Sequence, residues 1–137
     1  MTVGPTEPAS AEVAALRAAR AAVLARIAAA CRRAGRDPGE VTLVAISKTV
    51  PPGHLGAAVA AGLTCFGENR VQEAAAKVPH VPDAEWHLVG RLQGNKARRA
   101  VELFSAIHSL DSRELAGRLD RMVREVGRRD PLPVYLQ

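Results

Sequence analysis

Aromatic residues are nearly missing from this chain: one Trp, one Tyr and two Phe make up 3 % of its 137 residues. Its core must therefore be aliphatic, built from Ala, Val, Leu and Ile. Cysteine is as sparse. Cys31 and Cys65 lie far apart and fit no metal or redox spacing. They read as small core residues in a reducing compartment, and no metal is expected. No apolar run is long enough to cross a bilayer. The N-terminus lacks a basic segment followed by an apolar one, so no secretory signal is evident. The expectation is a cytoplasmic protein with no membrane partner.

What is present suits one ordinary domain. Hydrophobic residues make up 47 % and charged residues 24 %, the balance of a soluble globular chain. Net charge is +5, and nearly all of the basic residues are Arg. A genome that favours Arg and Ala codons explains that surplus. Attraction for phosphate or nucleic acid is the other reading, and composition alone favours the codon bias.

Residues 1–10 hold Gly4, Pro5 and Pro8 and are expected to be disordered, with the domain running over 11–137. Ser10 is a candidate N-cap. From Ala11 to about Ala34, Val13, Leu16, Val23, Leu24 and Ile27 recur at near-helical spacing. Gly35 suits the position just past that helix. The stretch Val41–Thr49 is then β-branched and apolar, the pattern of a strand buried on both faces of a parallel sheet. His54–Ala61 reads as a short helix, Leu63–Phe66 as a strand ended by Gly67-Glu68-Asn69, and Arg70–Val78 as a helix. Trp86–Gly90 is a strand, Asn95–Phe104 a helix and Ala106–Leu110 a strand. Asp111 with Glu114 resembles a capping box opening a helix to about Arg128, and Val134–Gln137 begins a fifth strand. Strand and helix alternate throughout, which predicts an α/β fold with a parallel sheet. Right-handed crossovers bring the C-terminal strand ends to one rim, with Lys48, Glu68-Asn69, Gly90-Arg91 and Ser109–Asp111 among them.

Lys48 is the conspicuous residue on that rim. By alternation it shares a face with Thr42, Val44 and Ile46. If that face is enclosed, desolvation lowers the amine's pKa and makes it a nucleophile toward aldehydes, which is the chemistry of pyridoxal 5′-phosphate lysines. If it is open, the side chain extends into water and does nothing special. His87 and His108 fall inside strand patterns, where hydrogen-bonded structural roles compete with proton transfer. Glu68 is a candidate general base or the partner of Arg70 or a nearby lysine. Gln93-Gly94-Asn95-Lys96 opens a helix and reads either as an anion site or as a polar cap. Arg91, Lys96, Arg98 and Arg99 would serve a nucleic-acid patch, but no aromatic residue interleaves with them.

Three segments carry a resemblance: Leu43–Thr49 (LVAISKT), Phe66–Glu73 (FGENRVQE) and Glu85–Lys96 (EWHLVGRLQGNK), followed by His108–Ser112 (HSLDS). In this order and spacing the chain resembles the pyridoxal phosphate homeostasis protein family. The resemblance covers nearly everything from about Val13 onward. It implies a partial (β/α)8 TIM-type barrel of the alanine-racemase-like kind, with an extra N-terminal helix and about five parallel strands present. The C-terminal strands, and the loops that hold the cofactor's phosphate in the family, would be missing. The resemblance also implies pyridoxal 5′-phosphate held as a Schiff base on Lys48, without established catalysis. Asn69 matches a position near the cofactor ring. His87 and Ser109, with Gln93, Asn95 and Asp111, match other positions on the rim, while Gly94 departs from the family's usual larger polar residue. The implied partners are the cofactor, the apoenzymes that use it and a separately encoded C-terminal half. Two other function classes stand beside this one. One is an amino-acid racemase of the same barrel type, which would need a second acid/base group opposite Lys48. The other is a nucleic-acid-binding module using the Arg-rich helices.

Overall fold

The structure, a computed structural model, describes residues 10–137. The disorder expected for residues 1–9 lies outside that range. Ser10 is the first residue of helix α1 (Ser10–Ala34). Helix α1 ends as its sequence dictates, with Gly35 at φ 64°. It is less amphipathic in practice than its spacing suggests. Cys31 is its one buried residue, and Val23 is exposed. Arg17 Nη2 ties it to the Ala60 carbonyl at 3.2 Å.

Among the described residues, one sheet holds the strands β1 (Ala45–Ile46), β2 (Cys65–Glu68), β3 (Glu85–Leu88), β4 (Ala106–Leu110) and β5 (Val134–Leu136). They lie in chain order and every neighbouring pair is parallel. Helices α2 (Leu55–Ala60), α3 (Val71–Lys77), α4 (Ala97–Leu103) and α5 (Arg113–Glu125) form the connections. The α/β fold with about five parallel strands is thus observed, and the parallel order places all C-terminal strand ends on one side.

Among the described residues, the sheet is covered on one face only. Phe66, Trp86, Leu88 and Ile107 are all at or below 2 % exposure and pack with Leu55, Ala100, Phe104, Leu115 and Leu119. Phe66 and Trp86 sit with ring centroids 5.3 Å apart. With Phe104, three of the chain's four aromatic residues lie in this core, and the rest of it is aliphatic.

Several expected elements move. The strand expected over Val41–Thr49 pairs regularly only at Ala45–Ile46, and it is not buried on both faces: Thr42 and Lys48 are exposed and Ile46 is 50 % exposed. No second layer packs there among the described residues, and Ser47–Val50 already turns away from the strand. Strand β2 runs on through Gly67 and Glu68 instead of ending before them. A Cβ on Gly67 would lie 2.7 Å from Ile46 Cδ1, so the missing side chain is what lets these strands lie flush. Helix α5 is capped by Ser112, whose hydroxyl accepts from Leu115 N–H at 3.1 Å, rather than by an Asp111–Glu114 box. It ends at Glu125, where Gly127 takes φ 72°. Its inward residues Leu115, Leu119, Met122, Val123 and Val126 are those its period picks out.

Candidate functional site

Lys48 follows β1 in a tight turn. Val50 N–H donates to the Ser47 carbonyl at 3.0 Å, closing Ser47–Val50. Thr49 holds φ 65° at the third position of that turn. Type II turns ordinarily reserve this place for Gly, because a β-branched side chain is crowded there. Such a backbone costs about 1–3 kcal/mol and persists only where surrounding contacts enforce it.

Those contacts run from a buried ammonium to an exposed backbone N–H. Lys77, 2 % exposed, reaches back from the end of α3. Its ammonium donates to Ser47 O at 2.6 Å, Glu68 Oε1 at 2.5 Å and Glu73 Oε1 at 2.9 Å. Glu68 Oε1 also accepts from Ser47 Oγ at 2.7 Å, and Glu73 Oε1 from Thr49 N–H at 2.8 Å. Burial pulls the Lys77 ammonium toward deprotonation, but its hydrogen bonds to Glu68 and Glu73 more than offset this, and its pKa lies above the usual lysine value. The hydrogen bond from Lys77, then that from Thr49, holds Glu73 below the ordinary 4.5. Glu68 is thus the partner of a buried lysine, one of the two roles its sequence position left open. Its Oε2 is buried without a partner among the described residues.

The sheet's second face carries a different set of groups. Val44, Ile46 and Val89 approach Gly67 on this side. His87 Nδ1 lies 3.0 Å from His108 Nε2, so one ring donates and the other accepts. His108 stacks obliquely on Tyr135, centroids 4.8 Å apart. Burial, and then the neighbouring His108, pushes His87 below the ordinary 6.5. At the N-terminal end of the strands, the ligand atoms of Cys65, Glu85 and His87 lie within 4.8 Å of one another. Register creates this trio, since Cys65 pairs with Glu85 and His87 follows two residues on. Sequence spacing therefore does not reveal it. Burial, helped by Glu85, raises the Cys65 thiol to about 11, so it stays protonated and is a poor ligand at neutral pH.

Asn69 follows β2 and packs against β3's exit: a Cβ on Gly90 would overlap the Asn69 carbonyl oxygen and lie 2.7 Å from its Cα. Asn69 and Gly90 thus line one cleft of about 830 Å3 with Arg70, Arg91, Gln93 and Lys96. A neighbouring cleft of about 600 Å3 joins Asn95 and Asp111 through Arg91 and Gln93. Ser109, in β4, is buried and its Oγ has no partner among the described residues. Lys48 is exposed rather than enclosed by aliphatic groups, because its face of the sheet is the uncovered one. The rim thus gathers Asn69 with Gly90, Arg91 and Lys96. Lys48, His87 and Ser109 do not line that cleft. The residue that sequence reasoning misses is Lys77. Its period-three alignment with Val71 and Ala74, together with the i,i+4 pairing to Glu73, is the signal that was available.

The chain is similar to known proteins over most of its length. No family model matches the chain. It is 44 % identical over 118 residues to a pyridoxal phosphate homeostasis protein of Escherichia coli, covering 82 % of this chain and 49 % of that one. The corresponding protein of Pseudomonas aeruginosa is 45 % identical over 119 residues, covering 85 % and 51 %. Among solved structures, PipY of Synechococcus elongatus with PLP bound matches with TM-score 0.63 at 51 % identity, over 77 % of this chain and 50 % of that one. A protein of unknown function from Bifidobacterium adolescentis matches with TM-score 0.74 at 29 % identity, over 93 % and 62 %. The chain spans about half the length of the curated relatives it matches.

Proposed function

The chain belongs to the pyridoxal phosphate homeostasis protein family, of whose members it spans about half, and from that premise we propose that it binds pyridoxal 5′-phosphate through Lys48 and takes part in handling this cofactor rather than in catalysis. The observation that carries the reading is an exposed primary amine at the C-terminal end of a parallel strand, within the LVAISKT segment. Parallel α/β folds place their chemistry at that end. The cofactor supplies an aldehyde carbon, to which an amine attaches with loss of water. The residues present fit such a group. Lys48 offers the nucleophile, Asn69 a polar side chain on the same rim, and Ser109 a buried hydroxyl without a partner among the described residues. Arg70, Arg91 and Lys96 line the adjacent cleft and would draw an anion toward it. His87 lies further along β3 and would act on that rim through His108.

Two further parts of the reading concern partners. Apoenzymes that require the cofactor would receive it from this site. A separately encoded chain supplying more strands would cover Ile46, Tyr135 and Leu136, which are 50 %, 59 % and 86 % exposed. Binding by the 137-residue span is expected to be weaker than by a full-length relative. Each charge-assisted phosphate contact not made removes roughly 1.5–3 kcal/mol.

An absorbance titration with pyridoxal 5′-phosphate, followed by borohydride reduction and peptide mapping, tests the proposal. Label concentrated on Lys48 is the expected result. Label spread evenly over Lys48 and Lys96 would overturn it. Racemisation of alanine or serine that disappears in Lys48→Ala would move the reading to an enzyme.

A further inference from the structure

We infer that Lys77 is a positioning residue for Lys48: from the end of α3 it anchors both peptide groups that flank the Lys48 Cα. The inference rests on the assignment of Lys48 as the cofactor-binding amine. The first peptide group is the Ser47 carbonyl, which accepts from Lys77 Nζ at 2.6 Å. The second is the Thr49 N–H, which donates to Glu73 Oε1 at 2.8 Å, and that same oxygen accepts from Lys77 Nζ at 2.9 Å. Two peptide planes fixed on either side of one Cα fix its backbone dihedrals and hence the direction of its Cα–Cβ bond.

The arrangement answers three features that otherwise stand unexplained. Thr49 holds a left-handed conformation that a β-branched residue avoids. A lysine is buried to 2 % in a helix whose other inward residues are Val71 and Ala74. A glutamate, Glu68, is fully buried in the middle of the sheet. Each of the three ammonium hydrogens has one acceptor: Ser47 O, Glu68 Oε1 and Glu73 Oε1. Glu68 fixes the ammonium from the sheet, and Glu73 carries the restraint on to Thr49. A core that needed only stability would be served as well by apolar side chains of similar volume. The ion pair instead puts a directional contact where a reactive side chain leaves the strand.

Lys77→Met alone would leave Glu68 buried and uncompensated and could unfold the chain. The test therefore uses Glu68→Met/Lys77→Met, which removes both charges, and Glu73→Ala, which releases Thr49 while Lys77 keeps Glu68. Each variant of the 137-residue chain is first compared with wild type by circular dichroism. It is then labelled with pyridoxal 5′-phosphate and borohydride, and the Lys48-to-Lys96 label ratio is measured with Lys96 as internal reference. Thr49 amide exchange is followed in parallel. Folded variants are expected to lose at least about tenfold in label ratio and to lose Thr49 amide protection. An unchanged ratio in a folded variant overturns the inference and leaves the Lys48 assignment standing. If wild type itself shows no preference for Lys48, the assignment fails. The anchoring is then judged by Thr49 exchange: protection kept in Glu73→Ala overturns it, and protection lost supports it. If the double variant does not fold, Glu73→Ala decides on the same two readouts.

Discussion

The two faces of the sheet are made from the same strands and behave as different materials. On the helix-covered face, Phe66, Trp86, Leu88 and Ile107 are packed to 2 % exposure or less. On the other face, Ile46 is half exposed, His87 and His108 hold each other, and Tyr135 closes a short row of rings toward the solvent. The alternation of one strand puts Trp86 on the first face and His87 on the second, one residue apart. A strand pattern reports that alternate residues point opposite ways. It does not report whether anything lies on the far side.

Truncation of one residue on each face is the strongest way to break the contrast. Trp86→Ala is expected to cost about 3–5 kcal/mol, because it empties a close-packed site. Ile46→Ala on the open face should stay within about 0.5 kcal/mol of wild type. Urea unfolding of the two variants measures both. Equal losses would mean that the second face is covered in solution, by another copy of the chain or by another molecule.

Two glycines sharpen the comparison at smaller cost. Gly90→Ala drives a methyl group into the Asn69 main chain, which cannot step aside, and should destabilise by about 1–3 kcal/mol. Gly67→Ala meets Ile46 Cδ1 at 2.7 Å, the far end of a flexible and half-exposed side chain. It should lose well under half as much. The same urea midpoints decide the order, and a reversed order would show β1 to be held more firmly than β3's exit.

The smallest expected effect is a pH dependence confined to the open face. His87 is held below 6.5 in the folded chain, chiefly by burial and then by His108. The unfolded state therefore takes up its proton first as pH falls. The stability that neutral His87 contributes is complete above 6.5 and declines as pH drops from there through the folded value. Midpoints measured at about pH 7.5 and about pH 5.5 should differ in wild type and differ less in His87→Gln. A slope that His87→Gln leaves unchanged would place the titrating group elsewhere.

The sequence makes the fold legible where the local pattern and the tertiary environment agree. Strand β4 has the bounds its apolar run predicts, and the inward residues of α5 are those its period selects. Val41–Thr49 reads as longer and more buried than it is, because apolar composition cannot distinguish a second packed layer from an open one. Lys48 and Asn69 are legible through the family segments that contain them. Lys77 is not, because a lysine in a helix is by default a solvated residue. What buries it is Glu68, nine residues earlier, and the Ser47 carbonyl, thirty residues earlier. Only the parallel crossover brings those groups to one point. Ser112 displaces Asp111 as the cap of α5 for a local reason: both can accept, and the chain's exit from β4 presents the later one.

The saturation of Lys77 also bears on chemical selectivity. The chain has three lysines and sixteen arginines. Guanidinium groups stay protonated and attract anions without attacking carbonyl carbon. Of the three side-chain amines, the fold withdraws one, since every hydrogen of the Lys77 ammonium is engaged and solvent does not reach it. Lys48 is exposed and Lys96 half-buried. An anionic aldehyde approaching this molecule therefore meets many charges and few accessible lysines. On the proposed role of Lys48, attraction falls to arginine and reaction to lysine, and the helix proposed to restrain Lys48 also removes one of its two lysine rivals.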